Sequence, residues 1–187
     1  VQRSDGSVAW QRVDQGVETR LSTAGVSVLG IRSGPFSARG LFAGDTVRLV
    51  EPIVVPLLDG RLALDRFELS GALVEGERPR WSANASVDGV SLQRLTETLD
   101  WPPFSGQLSG TLNDMRFEDG VFEVGGGLRV QAFEGEISVE HLRIRDPLGA
   151  VPVLTADARL RGLDLRALTQ TFSFGRIEGH LDGDLQN

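Results

Sequence analysis

The sequence repeats itself over a long stretch, and this limits the folds open to it more than any other feature. Residues 155–187 realign on residues 82–114 at a constant offset of 73, without a gap, and eleven of the 33 positions are identical. The paired stretches read SANASVDGVSLQRLTETLDWPPFSGQLSGTLND and TADARLRGLDLRALTQTFSFGRIEGHLDGDLQN. A second match lies upstream, where residues 58–69 parallel residues 133–144 at an offset of 75. A fixed long period predicts a stacked architecture in which each unit covers the open edge of its neighbour.

Within each unit the hydrophobic period changes in the same order. In residues 58–69 and 133–144 the apolar positions alternate, skip one residue and alternate again, which is the mark of a β-bulge. Ala83, Ala85 and Val87, like Ala156, Ala158 and Leu160, keep the strand period. After Gly89 and Gly162 the spacing becomes i, i+3, i+7, at Leu92, Leu95 and Leu99 and at Leu165, Leu168 and Phe172. This predicts short amphipathic helices over about residues 91–99 and 164–172. Ser91 and Asp164 stand where an N-cap is needed, and Trp101-Pro102-Pro103 and Gly175 end the helices. Helices this short are not stable alone, so they are expected to plug or cap the end of a sheet.

The next strand reads GQLSGTL, repeated as GHLDGDL, with Gly106, Leu108, Gly110 and Leu112 on one face. Glycine on an apolar face forfeits burial, so something must approach the backbone there, either the short helix or an acyl chain. Phe117, Phe122, Val124, Leu128, Val130 and Phe133 continue the extended pattern, and Gly125-Gly126-Gly127 marks a kink or hairpin. The first 56 residues read as an antiparallel β-meander, with runs around Val8, Val17 and Val26. Residues 32–44, punctuated by Gly34, Pro35, Gly40 and Gly44, read as a loop with a short strand near Leu41. Residues 46–58 read as an edge or broken strand, because Pro52 and Pro56 cannot donate to a ladder. The organisation expected is a strand-rich part over 1–56, a first unit over 57–131 and a second, truncated unit over 132–187. Because Asn187 matches Asp114, and because the single methionine is Met115, the chain is expected to be a segment of a larger repeat protein.

Composition excludes more chemistry than it suggests. At 187 residues and 40% hydrophobic, the chain can bury a core. A net charge of −7 without a basic stripe argues against nucleic acid. The absence of cysteine removes disulfides, thiol nucleophiles and thiolate metal sites. No apolar run approaches the roughly 20 residues that span a bilayer, and no stretch reads as a signal peptide, so a membrane anchor is expected outside this segment. His141 and His180 occupy places where the other copy has Arg66 and Gln107, as ordinary surface residues do. Asp114, Glu118, Asp119, Asp157, Asp164, Asp182 and Asp184 fall at turns, caps and polar faces, and no pair stands out as a glycosidase pair. The glycine triplet lacks the context of a phosphate loop, and Asp182-Gly183-Asp184 lacks the spacing of a calcium loop. Asn84-Ala85-Ser86 fits a glycosylation sequon, but it recurs as Asp157-Ala158-Arg159. Trp10, Trp81 and Trp101 read as packing anchors. No enzyme, cofactor or metal site is expected.

What remains is a mainly β chain with one strongly apolar sheet face. Leu62, Leu64, Phe67, Leu69, Leu108, Leu112, Phe122, Val124, Leu128, Val130, Ile137, Val139, Leu142 and Ile144 are expected to line it. A sheet face of this kind must be covered, and two short helices are too little to do so. A strand of about seven residues spans about 23 Å at roughly 3.3 Å per residue, the length scale of an acyl chain. An uncovered trough would therefore accept lipid. The competing expectations are a sheet that closes on itself and binds nothing, and a protein-pairing module that uses exposed strand edges. A carbohydrate-active β-sandwich is a third, and it requires a paired-carboxylate cleft.

The order of a short leucine-bearing helix and a G-x-L-x-G-x-L strand, GVSLQRLTETL…GQLSGTL and GLDLRALTQTFSFGRIEGHLDGDL, resembles the repeat of the AsmA-like superfamily. These are bacterial envelope bridge-type lipid transfer proteins, and they include TamB, YhdP and YdbH. The FSFGRIEG wording is most similar to the YdbH-like branch. The resemblance covers about residues 57–187; residues 1–56 match only in strand-rich style. It implies a curved antiparallel β-sheet forming a U-shaped groove, in a protein anchored in the inner membrane of a Gram-negative bacterium and extending through the periplasm. It further implies passive conduction of phospholipids between inner and outer membranes. The implied partners are phospholipid acyl chains, with an outer-membrane or periplasmic protein at the C-terminal end. It implies no catalytic residue.

Overall fold

A computed structural model describes residues 6–28, 30–72, 74–147, 151, 153–173 and 175–186. In chain order the elements are β1 (Gly6–Val13), β2 (Gly16–Thr23), β3 (Ser27–Val28), β4 (Ile31–Arg32), β5 (Phe36–Ala43), β6 (Thr46–Leu49), β7 (Ile53–Leu57), β8 (Gly60–Ser70) and β9 (Arg80–Ser91). Then follow α1 (Leu92–Thr98), β10 (Gly106–Glu118), β11 (Val121–Ala132), β12 (Gly135–Arg145), β13 (Val153–Asp164), α2 (Leu165–Phe172) and β14 (His180–Leu185). Twelve strands form one open antiparallel sheet in the order β1-β2-β5-β6-β8-β9-β10-β11-β12-β13-β14, with β7 also pairing β8. The remaining pair, β3–β4, is a separate small hairpin. The sheet does not close on itself, and the early strands extend it through β6, where Val47 pairs with Leu69.

Three expectations need correction. Residues 32–44 are mostly strand: β5 pairs β2 over seven positions and β6 over four. Gly40 sits inside this ladder because nothing crowds it more closely than the Arg48 carbonyl oxygen, 3.8 Å from an added Cβ, so the glycine punctuation marks no loop. The strand containing GQLSGTL has thirteen residues rather than about seven, since it continues through a bulge. Phe133 is not in a strand. It shares with Glu134 a two-residue turn between β11 and β12, at φ of 51° and 63°. Leu58 and Asp59, at 48° and 65°, form the matching turn between β7 and β8. The left-handed backbone of such turns matches the twist of the flanking strands. In both copies the turn is tied to the residue before the helix: Ser91 N–H donates to Leu58 C=O at 2.9 Å, and Asp164 N–H donates to Phe133 C=O at 2.8 Å.

Pro52 separates β6 from β7, and both short strands share one edge of β8, as the prolines require. The skipped residues are bulges. The register of β8 shifts between Leu64 and Arg66, and that of β12 between Glu140 and Arg143. Irregularities also fall between Asn113 and Arg116 in β10 and between Val124 and Gly127 in β11, so bulges lie side by side across β10, β11 and β12. The glycine triplet is therefore a kink inside β11. At Gly126 φ is +81°, and an added Cβ would stand 2.3 Å from the Thr111 carbonyl oxygen. Gly126→Ala is expected to destabilise by more than about 1 kcal/mol, seen as a lower urea midpoint at unchanged slope. Gly127→Ala is the control, because its Cβ would first meet the flexible Glu140 side chain at 3.4 Å.

The helices begin where the sequence places them. Ser91 Oγ accepts from Arg94 N–H at 3.3 Å, and Asp164 Oδ1 accepts from Ala167 N–H at 2.7 Å. Leu92 and Thr96 of α1 are buried, as is Thr169 of α2, while Gln93, Arg94 and Glu97 face solvent. Thr96 and Thr169 are repeat equivalents, and their hydroxyls donate to the carbonyls of Leu92 and Leu165 four residues back. Asp164→Ala should cost about 1 kcal/mol, measured by chemical denaturation; Ser91→Ala, which loses a longer bond, should cost less.

Candidate functional site

Pairing register fixes which side chains share a face. One row crosses the sheet as Val47, Leu69, Trp81, Phe117, Phe122, Ile144 and Leu154, each opposite the next. A second runs Val55, Leu62, Val87, Gly110, Leu128, Val139, Ala158 and Leu185. A third joins Val90, Leu108, Val130, Ile137 and Leu160. All fourteen residues expected to line the apolar face lie on it together, in these rows or between them. Val124 is buried and the other thirteen are half-buried. The tightest packing is at the centre, where Ala83, Ala85, Met115 and Val124 are buried beneath larger neighbours such as Leu64, Phe67, Leu112 and Leu142.

Aromatic rings cluster in two places, one of them on this face. The Trp81 ring lies 6.2 Å from Phe117 in a stacked geometry, 5.5 Å from Phe122 and 6.2 Å from Phe67. Phe104, Phe133 and Phe172 form a second cluster, with centroids 4.9 to 6.2 Å apart, linking the segment after α1, the β11–β12 turn and the end of α2. Trp81 is thus a packing anchor. The other two tryptophans are not: Trp10 is 77% exposed on the edge strand β1, and Trp101 is 58% exposed just beyond α1. Neither has a second layer to pack against.

The glycines on the apolar face have two explanations. At Gly106 an added Cβ would lie 2.9 Å from Leu92 Cδ1 of α1, so the helix does approach there, but the Gln131 carbonyl is nearer still at 2.2 Å. At Gly110 the intruder is β11 alone, with the Gly127 carbonyl oxygen at 2.3 Å. Strand-to-strand approach, which residue spacing does not reveal, demands both glycines.

The opposite face is polar and laced with ion pairs. Glu123 lies between Arg116 and Arg143 at 3.4 Å from each, Arg129 meets Glu136 at 3.2 Å, and Arg161 meets Asp184 at 2.8 Å. Arg39 binds Glu18, and this carboxylate holds the guanidinium pKa above its ordinary value. The candidate chemical groups are spread among structural tasks. His141 meets Asp157 at 2.7 Å, Asp119 accepts from Arg78 at 3.2 Å, Asp182 accepts from Gly162 N–H at 2.8 Å, and Asp164 caps α2. The Asp114 N–H donates to Asn84 Oδ1 at 2.9 Å. His180 and Glu118 are exposed strand residues. Among the described residues no three His, Asp or Glu side chains gather as metal ligands, and no helix is long and apolar enough to cross a membrane.

No family model, curated protein or solved structure matches the chain. The reading of the apolar face therefore rests on its residues and register.

Proposed function

We infer that this chain is a segment of a periplasm-spanning hydrophobic groove that passively conducts phospholipids between the inner and outer membranes, of the AsmA-like kind and with YdbH-like features. One observation carries the reading. A continuous apolar face crosses a single open sheet, and among the described residues the only elements outside that sheet are two short helices and one two-stranded hairpin. A sheet face this apolar is normally covered by a second layer. Lipid tails supply such a layer in this reading.

The details favour a trough. Bulges bend strands, and a line of them across β10, β11 and β12 supports a face curved along one crease. The helices stand at one rim, α1 over Gly106. Gly106 to the bulge at Asp114 is about 25 Å of strand at roughly 3.3 Å per residue, the length scale of an acyl chain. The lining is Leu, Val, Ile and Phe without an inward polar anchor, so tails slide along it and are not held at one site. In this reading the groove belongs to an inner-membrane-anchored periplasmic protein.

The test is direct. Protein purified without detergent and extracted with organic solvent should yield two-chain phospholipids by mass spectrometry, whereas lipid-free protein that also takes up none from vesicles would overturn the reading. A second reading is an envelope scaffold that pairs through strand edges in outer-membrane biogenesis; among the described residues β1 and β14 each pair on one side. In that case trough charges leave partner binding intact, while prolines in an edge strand abolish it.

A further inference from the structure

The two ends of the strands are closed differently. At one end lie the β3–β4 hairpin, α1, α2 and the turns at residues 58–59 and 133–134. These elements touch one another. An added Cβ at Gly30, in the hairpin, would stand 3.4 Å from Thr98 Cγ2 of α1. Phe104, Phe133 and Phe172 join the segment after α1 to the end of α2. Val90, Leu92, Thr96, Ala132, Leu163 and Thr169 are buried at this end. At the other end, with turns such as those at residues 14–15, 44–45 and 119–120, no helix stands among the described residues. Leu69, Trp81, Phe117, Phe122 and Ile144, the outermost apolar row there, are only half-buried.

The side chains of the face differ in kind along the same direction. The row nearest the helices, Val90, Leu108, Val130, Ile137 and Leu160, is wholly aliphatic. The row nearest the turns carries Phe42, Trp81, Phe117 and Phe122. Among the described residues the indole N–H of Trp81 donates to no protein atom, and it is not cut off from water. A tryptophan with an apolar ring and a wet N–H is the residue of membrane interfaces, at the level of the headgroups.

We propose that lipids lie across this face in one direction, with the methyl ends of their chains towards the helix-capped end of the strands and their glycerol esters and headgroups at the turn end, beside Trp81. The inference rests on the lipid-carrying reading and adds a direction to it. A methyl end asks for no hydrogen bond, so the enclosed aliphatic end suits it. A phosphate headgroup buried there would lose its water without gaining partners, which is costly. At the turn end it stays hydrated, and the Trp81 N–H stands at the level of the ester oxygens. The substrate class that follows is a diacyl lipid with one polar end.

Fluorescence quenching tests the direction in the whole chain carrying Trp10→Phe and Trp101→Phe, both at exposed positions, so that Trp81 is the one tryptophan left. The chain is loaded from vesicles of phosphatidylcholine with a nitroxide on the acyl chain, either near the glycerol ester or at the methyl end, and then separated from them. Quenching should be several times stronger with the first probe than with the second. In the parent chain, a diazirine at the methyl end should mark Leu108, Val130 and Ile137 in preference to Phe117 and Phe122. Equal or inverse quenching, or methyl-end adducts spread evenly over both rows, overturns the direction and leaves lipid carriage standing. No quenching and no adducts with any probe overturns the lipid-carrying reading and the direction with it.

Discussion

Replacing Trp81 by alanine is expected to lower the unfolding free energy by about 3 kcal/mol, the lower end of the range for large aromatic truncations. The low end applies because Trp81 is half-buried. Its ring nevertheless lies against those of Phe67, Phe117 and Phe122, so its loss opens the face across β8 to β11. Edge and offset ring contacts add to the area that the indole covers. Urea unfolding followed by circular dichroism measures the loss. Trp81→Phe keeps a ring in place and should cost less than about 1.5 kcal/mol. Trp10→Ala, at an exposed edge position, should stay within about 0.5 kcal/mol of the parent. Equal effects at residues 10 and 81 would mean that the row through Trp81 does not hold the sheet together.

On the proposed lipid-carrying function, a pair of charges on the apolar face should abolish lipid uptake. Leu128 and Val139 are cross-strand partners at the middle of the second apolar row, and both are half-buried. In the lipid-free sheet, aspartates at these positions remain partly hydrated, so Leu128→Asp with Val139→Asp should fold. Once tails cover the row, each carboxylate loses its water without gaining a partner, at a cost of several kcal/mol. Since 1.4 kcal/mol is a factor of ten in binding, bound phospholipid should fall by well over tenfold. Ser138→Asp provides the control: Ser138 lies between Arg129 and Arg159 in register, on the polar face. It should leave the lipid content as it is.

The reach of the sequence varied with the physics involved. Periodicity and capping are local, so the places of both helices, their N-caps at Ser91 and Asp164, and the skipped residues in β8 and β12 were legible, whereas the second helix is closed by Ser173 rather than Gly175. The apolar face was legible because alternation survives a bulge, and register brings the fourteen expected residues onto one side. What failed depended on neighbours distant in sequence. Gly40 lies in a ladder that local punctuation gives no sign of. Phe133 has the pattern of a strand residue but sits in a turn, its ring held between Phe104 and Phe172. Trp10 and Trp101 are aromatic, which predicts burial, but the fold brings nothing over them. The role of the glycines at 106 and 110 could be read only once β11 was beside them.

Photocrosslinking with a phospholipid that carries a diazirine midway along one acyl chain tests the central claim most directly. After incubation with vesicles, irradiation and digestion, the adducts can be placed by mass spectrometry. The account predicts adducts on the apolar rows, at residues such as Leu64, Leu128 and Val139, and few on Arg129, Ser138 or Arg159 of the opposite face. Labelling that favours the polar face, or none above a water-soluble diazirine control, would contradict it.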